Sequence, residues 1–289
     1  MNKTQEKNRI VKRNIRDSVF SDLFADKKYL LQLYQAIHPE DSDVAEDDLS
    51  YITIENVLTD QIYNDLGFRL GNKLILLIEA QSTWTMNIII RVLIYLATTY
   101  QEYFFAQGID LYGSKKVELP EPEFYVIYTG DRTQRPEYIS LSEEYFGGKE
   151  TALEIKVRML YGDNKEDIIG QYVAFTKVYA EQRKLHGRTR ETVLETIRIC
   201  KDENCLKEYL ENRESEVVDI MMTLFDEETI MKNYTASLIR ETREEGVRNF
   251  VEACQELGIS LLDTVEKLIT KYGFDESESQ AEVKKYWKE

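Results

Sequence analysis

Two apolar runs close together in the chain constrain this sequence most. Leu66-Gly67-Phe68-Arg69-Leu70 and Leu74-Ile75-Leu76-Leu77-Ile78 flank Gly71-Asn72-Lys73. Glycine and asparagine tolerate the positive φ of tight hairpin loops, so residues 62–81 read as a β-hairpin. With residues 71–73 as the loop, Leu70 faces Leu74 and Asp65 faces Glu79; a two-residue loop makes the Asp65–Glu79 contact diagonal instead. Alternation then gathers Leu66, Phe68, Leu70, Leu74, Leu76 and Ile78 on one apolar face. Asp65, Arg69, Glu79 and Gln81 fall on the other, beside Ile75 and Leu77.

The flanking pattern sets the fold class. Apolar residues at helical spacing run from about Ile15 to Ile37, and again from Asn87 to Phe105. Residues 51–58, 124–129 and 152–160 read as strands, and Ser42 to Asp48 as an acidic loop. From Asp167 onward the pattern is helical, over 167–186, 189–211, 214–225, 227–250, 260–272 and 276–287. This order predicts an α/β core followed by an all-helical extension. The expected boundaries are a core over 1–165, a helical extension over 166–245 and a small helical unit over 246–289.

Composition narrows the function classes. Three cysteines, Cys200, Cys205 and Cys254, contain no Cys-x-x-Cys pair and fit neither a disulfide framework nor a zinc site. The two histidines, His38 and His186, are too few for a histidine-ligated cluster, and no Gly-x-Ser-x-Gly elbow supports a serine triad. Residues 1–16 are basic and polar without an apolar stretch, so no signal peptide is expected, and the most apolar segment near residues 87–97 is interrupted by Arg91. A cytoplasmic protein with no membrane partner follows as the expectation. Of the net charge of −16, residues 201–289 carry −10, from 12 Lys/Arg against 22 Asp/Glu. Basic residues concentrate at Lys3 to Arg16 and at Lys177 to Arg190, including Arg183, Lys184 and Arg188. These segments are either contacts for a phosphate backbone or solvated helix faces.

Two carboxylates side by side at the end of an apolar hairpin repel each other and lose hydration. A divalent cation offsets both costs; the alternative is an exposed pair with Arg69 as partner. Mg²⁺ accepts one or two protein carboxylates and leaves coordination places for water and phosphate oxygens.

The stretch Tyr63-Asn64-Asp65-Leu66-Gly67-Phe68, then Leu77-Ile78-Glu79-Ala80-Gln81-Ser82-Thr83, then Arg91 and Tyr95, resembles the Rpn family of recombination-promoting nucleases and transposases, a branch of the PD-(D/E)XK nuclease superfamily. The resemblance takes in Asp17-x-x-Phe20, the helices beyond residue 170 and the tail with Glu244-Glu245-Gly246 and Tyr286-Trp287. It implies an αβββαβ core and a DNA endonuclease that hydrolyses phosphodiester bonds with Mg²⁺ or Mn²⁺, in recombination, transposition or phage defence. It makes Asp65 and Glu79 the metal ligands and places Gln81 where the superfamily more often has lysine. Glutamine is neutral and orients only by hydrogen bonds. Arg91 and Tyr95, four apart on one helix, either support the site or serve as a locally paired arginine and a core-edge tyrosine. Asp17 either adds an acidic group or caps the first helix. The rival expectation is an inactive nuclease-fold protein that binds or regulates, self-associating through helices after residue 170; a homodimer fits either.

Overall fold

The computed structural model describes residues 19–52, 65–80 and 84–287, with the backbone alone at 52, 65, 77–80, 227–228 and 230–231. Two compact units divide the chain, residues 1–224 and 225–289.

The first unit is an α/β structure built on a mixed six-stranded sheet. Helices α1 (Val19–Phe24) and α2 (Lys27–Ile37) precede the strands β1 (Leu49–Ile52), β2 (Asp65–Leu70) and β3 (Lys73–Ala80). Helix α3 (Asn87–Ala106) crosses to β4 (Glu121–Tyr128), followed by β5 (Tyr138–Ser140), α4 (Leu141–Phe146) and β6 (Lys156–Leu160). The spatial order is β1-β2-β3-β4-β6-β5. Strands β1, β2 and β3 form an antiparallel meander, whereas β4 is parallel to both β3 and β6. Strand β5 closes the far edge antiparallel to β6. A parallel β3–β4 pair needs a crossover, and α3 provides it.

The hairpin differs from the expected register. Its loop has two residues, Gly71 and Asn72, and Leu70 pairs with Lys73. Gly71 has φ 54°, the positive value that a type II′ turn requires at its first central residue. Phe68 therefore shares a face with Ile75, and Gly67 and Arg69 with Leu76 and Leu74. Leu74, Ile75 and Leu76 are all buried, so β3 has no polar face over this stretch. The reason is its central place: helices cover both sides of the sheet. On one side Ile88, Ile89, Val92 and Tyr95 of α3 pack with Leu74, Leu76, Val126 and Val157. On the other, α2 contacts β1 and α5 contacts β4, with α5 spanning Ile168–His186.

Local signals fix the helix ends. The expected first helix is two helices, because Asp26 leaves the helical path and its Oδ1 accepts the Lys28 N–H at 2.9 Å, capping α2. Asp167 caps α5 in the same way. Helices α6 (Arg190–Asp202) and α7 (Lys207–Asn212) replace one expected helix over 189–211, since the chain turns through Asn204 and Leu206, both at positive φ. The helices expected over 214–225 and 227–250 are continuous as α8 (Glu214–Glu256).

In the second unit, Val247 and Val251 of α8 pack with Val265 and Leu268 of α9 (Leu261–Tyr272) and Val283 of α10 (Glu276–Tyr286). Ser260 and Asp275 cap α9 and α10. Among the described residues no helix is long and apolar enough to cross a membrane.

Candidate functional site

Asp65 and Glu79 lie at the open end of the hairpin, Asp65 as the first residue of β2 and Glu79 as the penultimate residue of β3. They do not face each other in the ladder. Asp65 pairs with Ile78, and Glu79 is the next residue along β3, which pairs on its other side with Ile127 of β4. The shorter loop causes this correction. In a regular pleat a one-residue offset puts two positions on opposite sides of the ladder. Ala80 pairs with Tyr128, so this end of the hairpin is also where the parallel strands β3 and β4 finish. In open α/β sheets the carboxyl ends of parallel strands are the usual ligand-binding edge.

Helix α3 follows this edge and carries Arg91 and Tyr95 on one stripe. Tyr95 is 2% exposed and belongs to the packed core under α3. The Arg91 guanidinium lies 5.8 Å from the centre of the Tyr95 ring, within reach of a cation–π attraction. Arg69 stacks over Tyr103 of α3 at 5.0 Å and also donates to the Gly71 carbonyl at 3.4 Å. Gln81, Asp17 and the basic segment 3–16 lie outside the described residues. Arg183 and Lys184 stand in the last turn of α5, where positive charge suits the carbonyl end of the helix dipole, and Arg188 follows Gly187 in the next loop.

A second polar cluster, which the sequence pattern did not reveal, sits where β3 and β4 begin. The His38 ring lies between two carboxylates, with Nδ1 3.1 Å from Glu40 and Nε2 2.7 Å from Glu123. The Tyr125 hydroxyl donates to the same Glu123 oxygen at 2.8 Å. Lys73 donates to Asp41 at 3.1 Å and to the Tyr34 hydroxyl at 3.2 Å, and stands 3.7 Å from Glu123. Tyr34 in turn donates to Asp41.

The titration behaviour follows from these contacts. Burial and then the Asp41 hydrogen bond push the Tyr34 hydroxyl up to about 12. Burial, reinforced by Glu123, also raises Tyr125. Burial alone would lower Lys73, but hydrogen bonds to Tyr34 and Asp41 outweigh it and raise the ammonium above its ordinary value. Tyr34 and Lys73 together hold the Asp41 carboxyl below the usual aspartate range.

Donor atoms of His38, Glu40 and Asp41 all lie within 4.8 Å of one another, a spacing that suits a metal ion. Lys73 already supplies positive charge to Asp41 and Glu123, so the cluster has an internal counter-ion. It is a clamp that ties the end of α2 to the first residues of β3 and β4. The signal missing from the sequence is distance: His38 and Glu123 are 85 residues apart.

The geometry thus offers two polar sites at opposite ends of the β3–β4 pair, one of them compensated by its own lysine. Comparison with protein-family models, curated proteins and solved structures finds no match to this chain.

Proposed function

We propose that the chain is a metal-dependent nuclease of the PD-(D/E)XK type, with Asp65 and Glu79 holding a divalent cation and Gln81 orienting water. The observation that carries this reading is the position of Asp65 and Glu79 at adjoining strand ends, on the carboxyl edge of the parallel β3–β4 pair; sharing one ion across their one-residue offset requires the ladder to depart from a regular pleat at this end. The order of helix, three-stranded antiparallel meander, helix and parallel strand supports it, since this is the αβββαβ arrangement that the family resemblance implies.

The donor set fits Mg²⁺ or Mn²⁺, because both side chains offer hard carboxylate oxygens. Such an ion supplies positive charge beside a phosphoryl group and makes water more acidic. The chain's own residues do the rest. The Gln81 amide accepts from and donates to water without adding charge, so it orients rather than activates. Arg183, Lys184 and Arg188 contribute positive charge for a phosphate backbone.

A second reading rests on the register offset between Asp65 and Glu79 together with the net charge of −16. Both favour a nuclease-fold protein that binds a partner without cleaving DNA. A supercoiled-plasmid nicking assay with Mg²⁺ or Mn²⁺, paired with calorimetric titration of the same ions, separates the two. The nuclease reading expects cation-dependent nicking that falls to background in Asp65→Ala and Glu79→Ala. Equal nicking by all three proteins defeats the site assignment. Absence of both nicking and ion binding in the wild type establishes the second reading instead.

A further inference from the structure

Helix α6 ends in a two-bond cap of defined geometry. The Cys205 N–H donates to the Cys200 carbonyl at 2.8 Å, and the Asn204 N–H donates to the Lys201 carbonyl at 3.3 Å. Asn204, between them, has φ 61°. This is a Schellman cap, and it brings the side chains of its first and sixth residues into contact, where a pair of apolar groups is usual. Here both residues are cysteine.

The two side chains are free thiols, and both are buried. Cys205 is 6% exposed and Cys200 0%, so Cys205 is the more accessible of the two. The Cys205 S–H also donates to the Gln171 carbonyl of α5 at 2.9 Å. The hydrogen bond from Cys200 draws the Cys205 thiol below its ordinary pKa and raises Cys200, with burial adding to the rise in Cys200. One sulfur is thereby favoured as thiolate, with a second thiol at the other end of the same cap.

We propose that Cys200 and Cys205 form a redox dithiol that a peroxide closes to a disulfide at the α6–α7 turn and that a dithiol reductant reopens by thiol–disulfide exchange. The Cys205 thiolate attacks one peroxide oxygen, the O–O bond breaks, and the departing oxygen takes up a proton to leave as water or an alcohol. Cys205 is then a sulfenic acid. The Cys200 sulfur attacks the Cys205 sulfur, the S–O bond breaks, and hydroxide leaves as water with the Cys200 proton. The two thiols lose two electrons in all, and the peroxide is reduced. Closure needs no new segment to approach, because the cap already holds the two residues together. It also removes the Cys205 S–H from Gln171, loosening one tie between α5 and the turn.

The test treats the whole chain with hydrogen peroxide under native conditions, quenches with acid, then denatures and alkylates before peptide mass spectrometry. The expected result is alkylation confined to Cys254, with residues 200 and 205 recovered in a species lighter by two hydrogens and restored by dithiothreitol. Cys254→Ser keeps that species if the pairing is correct, and Cys205→Ser abolishes it. Cys200 and Cys205 remaining fully alkylated, pairing with Cys254, or passing directly to sulfinic acid would each overturn the proposal.

Discussion

Asp22 is a carboxylate inside the first unit, 3% exposed on α1, and it joins the start of the described chain to α7. The Tyr209 hydroxyl donates to it at 2.8 Å, and Arg213 stands 2.9 Å away. Replacing Asp22 with alanine removes an acceptor that is charged, where a hydrogen bond contributes about 1.5–3 kcal/mol. It also leaves the Tyr209 hydroxyl without this acceptor, on a residue 1% exposed. The Arg213 side chain is 36% exposed, so solvent screens its share to about 0.5–1 kcal/mol. Removing the desolvated carboxylate returns part of the loss, and the net expectation for Asp22→Ala is about 3 kcal/mol of destabilisation. For a unit of this size that corresponds to roughly 6–12 °C in melting temperature. Urea unfolding followed by circular dichroism measures it. Tyr209→Phe should cost about 2 kcal/mol, and the double variant less than the sum, because the two side chains share one interaction. A change under about 1 kcal/mol for Asp22→Ala, or strict additivity in the double variant, would refute the reasoning.

Gly170 tests how closely the loop before α5 folds back on its first turn: an added Cβ would lie 1.8 Å from the Asn164 carbonyl oxygen. Glycine to alanine in a helix ordinarily stabilises by about 0.5–1 kcal/mol; here thermal melting should show a loss of about 3 kcal/mol, and any gain contradicts the close approach. Asp41 carries an acid dependence of known sign, because Tyr34 and Lys73 depress its folded pKa. Its contribution is present above the unfolded value of about 3.9 and is lost as pH falls through the lower folded value. Melting temperatures measured between about pH 5 and pH 3 should therefore fall less steeply in Asp41→Asn than in the wild type, and parallel curves would remove Asp41 from the account.

Much of the α/β architecture is legible in the chain because it rests on local signals. Asp167, Ser260 and Asp275 cap helices that begin where periodicity and cap chemistry agree. The apolar run at 124–129 announces β4 as a buried strand. Other features depend on choices that periodicity does not report. Gly71-Asn72-Lys73 is compatible with loops of two or three residues, and that single residue decides whether Asp65 meets Glu79 or Ile78. Strand β5 has three residues, too few to show alternation. The α6–α7 break passes through Leu206 at φ 48°, a conformation its side chain disfavours. Contacts with α5 sustain it, since the Leu206 N–H donates to Gln171 Oε1 at 2.9 Å. The same Gln171 accepts from Cys205, so the cysteine pair became meaningful only once three separate helices were assembled. The His38 clamp was hidden for the same reason, its partners coming from α2, β3 and β4.

The borders of the sheet have a consequence for the behaviour of the unfolded and partly folded chain. Strand β5 terminates one side after three residues, and Ser140 at its end immediately caps α4. A border so brief gives an incoming strand little hydrogen-bonding length to template on. The long apolar strands β3 and β4 are each flanked by neighbours on both sides, which withdraws the most aggregation-prone segments from solution once the meander and the α3 crossover have closed.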